Sequence, residues 1–265
     1  MVTVQERTLS LWQDQIQARV KIAGNGPPLV FFHGPTGLVW DSFLDTLSES
    51  FTLYAPEHPG TTPGDPDGVK ILDGLWDLIL YHYELLDQLG LEAPAVVGHS
   101  YGGMLAAEVA ATNPNRVSRL VLIDPIGLWR DDAPVKNWMS MAPDAVAQAS
   151  FYDPDGPIAK KALALPEDPE ARIQAELHHI WSMSCTGKFI WPIPDKGLKK
   201  RLHRIRASTL IIWGQNDGLV SPVYAQEFAS RIAGSRVELI DGAAHVPHLE
   251  QQAQVSGLVQ EFLKG

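Results

Sequence analysis

Short apolar runs alternate along the chain with longer stretches in which apolar residues recur every three or four positions. The runs are rich in Val, Ile, Leu and aromatic residues, as are strands that are buried on both faces. They cover residues 29–34, 51–56, 93–100, 119–125, 208–214 and 236–242. The amphipathic stretches include residues 72–90, 102–117, 224–234 and 250–265. This alternation predicts an α/β fold in which a mostly parallel twisted sheet is flanked by helices.

Residues 8–24 follow a different pattern. Apolar and polar positions alternate there on both sides of a polar turn, Gln13-Asp14-Gln15. A period of two is typical of strands with one buried face, and two such runs around a short turn form a hairpin. We therefore expect an antiparallel hairpin at the edge of the sheet.

The segment 126–207 interrupts the alternation, because it is far longer than one crossover helix and contains many prolines. We predict that it is a helical lid inserted into a core domain made of residues 1–125 and 208–265. A small helical unit cannot bury the many aromatic and methionine side chains of the segment by itself, so they predict an apolar cavity beneath the lid. The candidate substrate-binding residues in it are Trp129, Trp138, Met139 and Trp181.

Composition limits the classes of function. With 265 residues, of which 45% are hydrophobic, the chain can bury a large core as one domain. A net charge of -10 argues against a nucleic-acid partner, and the basic residues of 196–206 are expected to form a solvated helix face. The single cysteine, Cys185, excludes an internal disulfide and a cysteine-based zinc site. No apolar run is long enough for a membrane span, and the start of the chain has no targeting pattern, so we expect a cytoplasmic protein.

The stretch Gly98-His99-Ser100-Tyr101-Gly102 fits the pattern G-x-S-x-G and lies between a predicted strand and a predicted helix. This context is typical of a nucleophile elbow, a sharp turn that presents a serine hydroxyl at a helix N-terminus. Small neighbours are needed in such a turn, and Gly98, Gly102 and Gly103 meet that need. Ser100 is therefore the candidate nucleophile.

Five segments together resemble the α/β-hydrolase superfamily, in its serine-nucleophile branch with a helical lid. They are HGPTG (33–37), APEHPG (55–60), GHSYGG (98–103), GQNDGLV (214–220) and GAAHVPHLE (242–250). The resemblance covers essentially the whole chain. It implies a catalytic triad whose members follow in the order nucleophile, acid, histidine.

A serine nucleophile needs a base, and the resemblance indicates where the base and the acid of the triad lie in the sequence. His245 follows the last predicted strand, where a loop can bring its imidazole to Ser100. Asp217, directly after the strand 208–214, is the expected acid, and Asp124, after the strand 119–125, is the rival because some members of the superfamily take their acid from there. The remaining histidines are expected to pack, to brace loops or to lie at the surface.

The oxyanion hole should combine the backbone N–H of Tyr101 with a second donor from the loop that contains Gly34, Pro35 and Thr36. Many members of the superfamily use the residue at position 35 of this chain as that donor, but proline has no N–H. Either Thr36 supplies the hydrogen bond through a shifted loop, or the hole is weaker than usual.

These residues predict a serine hydrolase that cleaves an ester or related acyl bond of a small to medium apolar substrate through an acyl-enzyme. The mechanism requires neither a metal nor an organic cofactor. Two alternatives stay open, namely a C–C bond hydrolase of the same fold and a weakly catalytic member that binds a small molecule. The sequence leaves the natural substrate and the oligomeric state open.

Overall fold

The computed structural model describes residues 2–192 and 195–265. The described residues form one sheet of eight strands, in the order β1-β2-β4-β3-β5-β6-β7-β8. The strands are β1 (Gln5–Leu11), β2 (Ile16–Ala23), β3 (Pro28–Phe32), β4 (Thr52–Pro56), β5 (Ala95–His99), β6 (Arg119–Ile123), β7 (Ser208–Gly214) and β8 (Arg236–Ile240). β1 and β2 form the antiparallel hairpin at one edge, β2 pairs antiparallel with β4, and every other pair is parallel. The predicted mostly parallel sheet and its edge hairpin are confirmed.

Helices cover both faces of this sheet. The α-helices of the described residues are α1 (Ser42–Ser48), α2 (Leu75–Gln88), α3 (Tyr101–Thr112), α4 (Pro143–Ser150), α5 (Pro157–Ala162), α6 (Pro169–Ile190), α7 (Val223–Ala229), α8 (Pro247–Glu250) and α9 (Gln252–Lys264). Within this described part of the chain, no helix is both long and apolar enough to cross a lipid bilayer.

Side chains of the central strands alternate between two hydrophobic cores. In β5, Val96 belongs to the core that includes residues of α2, α3 and α7, whereas Val97 belongs to the core that includes residues of α1 and α9. In β6, Leu122 and Ile123 divide between the two cores in the same way. Because both faces of the central strands are buried, the sequences of these strands carry an unbroken apolar run rather than an alternation.

The insertion, by which we mean the described part of residues 126–207, lies between β6 and β7 and contains α4, α5 and α6. The C-terminal half of α6 contacts loops of the sheet. Trp181 Nε1 donates to Gly60 O at 2.9 Å, and Lys188 Nζ donates to Val69 O at 2.9 Å. The N-terminal half of α6 projects into solvent, since Ile173 and Leu177 are 56% and 54% exposed. A lid function for the insertion stays a prediction.

The basic segment 196–206 does not form the helix face that its sequence suggested. It forms two short 3-10 helices, Leu198–Lys200 and Leu202–Arg204. Arg201 Nε donates at 2.7 Å to Glu108, an α3 residue with no exposed surface. A buried carboxylate is costly unless it is paired, so Glu108 draws Arg201 inward, and only part of the cluster is solvated.

Candidate active site

The chain turns sharply at Ser100, between the end of β5 and the start of α3. Ser100 has φ 53° and ψ -114°, a backbone conformation that non-glycine residues rarely adopt. A Cβ at Gly98 would lie 2.4 Å from Gly102 O, and one at Gly102 would lie 2.0 Å from Phe32 O. The turn is possible only because these neighbours lack side chains, as expected for a nucleophile elbow.

Two loops bring His245 and Asp217 to this turn. His245 Nε2 lies 2.9 Å from Ser100 Oγ, and His245 Nδ1 lies 2.8 Å from Asp217 Oδ2. All three residues are buried, with 1%, 6% and 6% of their surfaces exposed for Ser100, His245 and Asp217. The His245 backbone N–H donates to Ser150 O at 3.0 Å, which ties its loop to the end of α4. The structure therefore joins the three residues that the sequence selected into one chain of hydrogen bonds.

Asp217 and its rival Asp124 have different partners. Asp217 Oδ1 accepts the backbone N–H groups of Leu219 and Val220, both at 2.9 Å, while Oδ2 faces His245. Asp124 has no exposed surface, and its Oδ1 accepts the Gly214 N–H at 2.9 Å. The imidazole is thus hydrogen-bonded to Asp217 and not to Asp124.

A carboxylate oxygen of Asp124, one of Asp217 and a ring nitrogen of His245 all lie within 4.8 Å of one another. Acids and an imidazole at such distances could surround a cation. The arrangement of donors assigns the Nδ1 proton of His245 to the hydrogen bond with Asp217, and a protonated ring nitrogen cannot bind a metal. We therefore interpret the three residues as a hydrogen-bonding network.

The sequence matches the family described as alpha/beta hydrolase fold over residues 27–252. The chain belongs to the α/β-hydrolase family. A curated relative, 2-hydroxymuconate semialdehyde hydrolase from Pseudomonas sp. (strain CF600), is 26% identical over 94% of this chain and 90% of its own length. Two solved structures share the fold. A membrane phospholipase A matches this chain with a TM-score of 0.79 and 19% identity, over 99% of this chain and 86% of its own. A meta-cleavage product hydrolase matches it with a TM-score of 0.77 and 18% identity, over 97% of both chains.

The loop after β3 of this α/β hydrolase carries the predicted oxyanion residues. The Gly34 carbonyl accepts a hydrogen bond from His33 Nδ1 at 2.7 Å, and the Pro35 carbonyl accepts one from Thr186 of α6 at 3.3 Å. Thr36 is exposed, and Tyr101 is the buried first residue of α3. The roles of the Tyr101 and Thr36 N–H groups stay predictions.

The four predicted substrate-binding residues of the insertion have different surroundings. Trp138 is 6% exposed, and its Nε1 has no hydrogen-bond partner among the described residues. Met139 packs against α6, where a Cβ at Gly187 would lie 2.8 Å from its Cε. Trp129 Nε1 donates to Asp131, and Trp181 contacts the loop after β4. Their contact with substrate stays a prediction.

A surface depression of about 700 Å³ lies beside Asp217. It is lined in part by Lys136, Asn137, Met141, Ala149 and Gly218, and Gly218 directly follows Asp217. The spacing of these residues in the sequence carries no signal, because the depression arises only from the packing of the insertion against the core.

A second feature that the sequence did not reveal is a set of buried histidines around the elbow. The His33 and His58 rings lie 3.9 Å apart, His58 Nε2 donates to His33 O at 3.0 Å, and His99 Nε2 donates to His245 O at 2.8 Å. Burial lowers the pKa of His33 and His248 to about 3 and the pKa of His82 to about 4. Burial also lowers the pKa of His58 and His99 well below the ordinary value.

Acidification is expected to destabilise this fold because five histidines must stay neutral in it. Below pH 6.5 the unfolded chain binds protons at these residues while the folded protein does not, so the free energy of unfolding falls as the pH falls. Between about pH 6.5 and about pH 5.5, proton binding by each of these histidines in the unfolded chain lowers the free energy of unfolding by about 1 kcal/mol. Urea unfolding followed by circular dichroism across this range measures the loss.

The matched variants for this test are His82→Asn, which removes a buried histidine, and His203→Asn, which removes an exposed one. We expect the first to reduce the pH dependence by about a fifth and the second to leave it unchanged. An unfolding midpoint that does not change between about pH 7.5 and about pH 5.5 would contradict the expectation.

Proposed function

We propose that this α/β hydrolase cleaves an ester or related acyl bond of a small to medium apolar substrate, with Ser100, His245 and Asp217 as its catalytic triad. The observation that carries the proposal is the chain of hydrogen bonds from Asp217 Oδ2 through His245 to Ser100 Oγ, with distances of 2.8 and 2.9 Å. A serine hydroxyl is a weak nucleophile near neutral pH unless a base takes its proton. His245 lies in position to be that base.

Catalysis would begin when His245 Nε2 removes the proton from Ser100 Oγ as the oxygen attacks the substrate carbonyl. Asp217 holds the Nδ1 proton of His245, so that Nε2 is the free nitrogen and the imidazolium that forms is stabilised. His245 then gives its proton to the leaving group, and an acyl group remains on Ser100. Water that is activated by the same histidine releases the acid and restores the enzyme.

The negative oxygen of the tetrahedral intermediate would bind the Tyr101 N–H, which lies at the N-terminus of α3, and a donor of the 34–37 loop. With Pro35 unable to donate, Thr36 is the candidate for the second hydrogen bond. A missing donor costs about 2.7 to 4 kcal/mol of transition-state stabilisation. The position of the second donor therefore determines whether the enzyme is fast or specialised.

We propose that residues 126–207 act as a lid over a core of residues 1–125 and 208–265 and that the lid selects an apolar substrate. The contacts of Trp181 and Thr186 with loops of the core support this role. Among the described residues, no lysine or arginine is buried. A lysine or arginine side chain is a common partner of a substrate carboxylate, so its absence among the buried residues favours an uncharged acyl group.

A second candidate function is hydrolysis of a C–C bond in a dienoate. It is favoured by the similarity to 2-hydroxymuconate semialdehyde hydrolase, which extends over 94% of this chain. The same serine and histidine would serve such a reaction, so only the substrate distinguishes the two functions.

A panel of substrates tests the proposal. The purified protein would be assayed with p-nitrophenyl acetate, butyrate and octanoate and with 2-hydroxymuconate semialdehyde, and its intact mass would be measured after treatment with a fluorophosphonate probe. We expect one probe molecule per chain and hydrolysis of at least one ester. His245→Ala should prevent labelling, whereas the exposed His203→Ala should not.

Hydrolysis of the semialdehyde alone would favour the second function. Labelling without any turnover would favour a protein that binds a small molecule and catalyses little. No labelling of the folded native protein would refute the proposed nucleophile.

A further inference from the structure

Asp124 is a buried acid that the proposed reaction does not use. It follows β6 with φ 42°, and its side chain has no exposed surface. One oxygen, Oδ1, accepts the Gly214 N–H at 2.9 Å. The other, Oδ2, is buried and accepts no hydrogen bond from the described residues. A buried carboxylate oxygen without a donor is costly when it is charged.

Three titratable groups from other elements face Asp124. Asp217 follows β7, His245 follows β8, and Glu250 ends α8. The Asp124 and Asp217 carboxyl groups and the His245 ring have atoms within 4.8 Å of one another. Two carboxylates so close in a buried site cannot both be charged without a large penalty, so one of them keeps a proton.

The distribution of hydrogen-bond donors decides which acid keeps the proton. Asp217 accepts three N–H groups, from Leu219, Val220 and His245, whereas Asp124 accepts only the one from Gly214. Donors stabilise a negative charge, so the charge belongs on Asp217. Consistent with this, burial and the neighbouring Asp217 carboxylate raise the pKa of Asp124 well above its ordinary range.

We propose that Asp124 is a neutral carboxylic acid in the working enzyme, which donates its Oδ2 proton to the Asp217 carboxylate and thereby holds Asp217 in line with His245. Asp124 is then a positioning residue, since it acts through Asp217 and has no bond to form or break in the proposed reaction. The inference rests on the proposed function of Asp217, but the protonation of Asp124 can be measured independently of it.

A neutral Asp124 has a specific benefit for the triad. It adds a hydrogen bond that fixes the Asp217 carboxylate and places no second negative charge beside His245. A second charge would stabilise the imidazolium too strongly, and His245 would then be a poorer acid toward the leaving group. A carboxylic acid therefore orients the site without changing its charge.

The test compares Asp124→Asn with Asp124→Gly. Asn is neutral, retains an N–H donor and tolerates positive φ, while Gly removes the side chain and also tolerates positive φ, so both variants suit the backbone. Asp14→Asn is the matched control, because Asp14 is an exposed acid with positive φ in the turn between β1 and β2. Infrared difference spectra near pH 7.5 report the charge of Asp124, and kcat and KM are measured against pH.

In the spectrum of the native protein minus Asp124→Asn, we expect the carbonyl band of a protonated carboxyl group, which the Asp14→Asn control lacks. Asp124→Asn should keep kcat within about threefold and leave the midpoint of the acidic limb of the rate profile within about 0.3 pH unit. Asp124→Gly should lower kcat at least about tenfold and change KM less than about threefold, because it loosens Asp217 without altering substrate contacts.

Loss of a carboxylate band in Asp124→Asn, with a shift of the acidic limb by about one pH unit or more, would show that Asp124 is charged and would overturn the proposal. Unchanged kcat in Asp124→Gly would overturn the positioning role. If the native protein hydrolyses no substrate, the proposed function fails, but the infrared spectra still determine whether Asp124 is protonated.

Discussion

Replacing Ser100 with alanine is expected to lower kcat for a hydrolysed ester by about 10⁴-fold or more and to abolish labelling by a fluorophosphonate. The variant removes Ser100 Oγ, which lies 2.9 Å from His245 Nε2, and it leaves no oxygen to carry the acyl group. Substrate affinity should change little, because the hydroxyl forms its bond to the substrate in the chemical step. Steady-state kinetics with the best ester of the panel measures the loss.

The control for this variant is Ser256→Ala, which removes a buried serine hydroxyl in α9 that accepts a hydrogen bond from Gln252 of the same helix. It should keep native turnover. Ser100→Ala should also keep the native urea midpoint, since alanine and serine are strained alike at φ 53°. Turnover within tenfold of the native value in a folded Ser100→Ala protein would exclude Ser100 as the nucleophile.

Replacing Asp217 with asparagine is expected to lower kcat by about 10⁴-fold. The asparagine oxygen can still accept the N–H groups of Leu219 and Val220, so its NH₂ group faces His245 Nδ1. A donor at that position favours the other tautomer of the imidazole, with the proton on Nε2. Ser100 would then face a protonated nitrogen, which cannot take the hydroxyl proton.

The matched control is Asp241→Asn, since Asp241 is an exposed acid on the loop that leads to His245. Proton NMR of the imidazole N–H groups checks the cause, because the tautomer change moves the proton between the two nitrogens. Native turnover in Asp217→Asn, or a loss with an unchanged tautomer, would mean that Asp217 does not orient His245.

The sheet is predictable because a strand that is buried on both faces has an unbroken apolar run in its sequence, such as that of β7. The elbow is predictable from its glycines, because the backbone leaves no room for a side chain there. A Cβ atom at Gly98 or Gly102 would lie only 2.4 or 2.0 Å from a backbone carbonyl oxygen. Asp217 and His245 were found through the order of motifs along the chain. The hydrogen bonds of His245 to Ser100 and to Asp217 are consistent with that order.

Features that depend on contacts between distant segments were not predictable. The helix α1 was missed because its seven residues carry too short a periodic pattern. The sequence predicts a solvated helix for the basic segment 196–206, because nothing in that segment reveals that Glu108, ninety-three positions before Arg201, needs a partner. The histidine set was missed in the same way, since His33, His58 and His82 are far apart in sequence and meet only in the folded protein.

The order of strands divides the proposed catalytic groups between the centre and the edge of the sheet. Ser100 follows β5, which has strands on both sides, whereas His245 follows β8, an edge strand that is partly exposed. Edge elements open locally at lower free energy than central ones, so amide hydrogens of β8 should exchange faster than those of β5. Each such opening separates the base from the nucleophile while most of the sheet is intact. We therefore expect activity to be lost in mild denaturant before the protein unfolds.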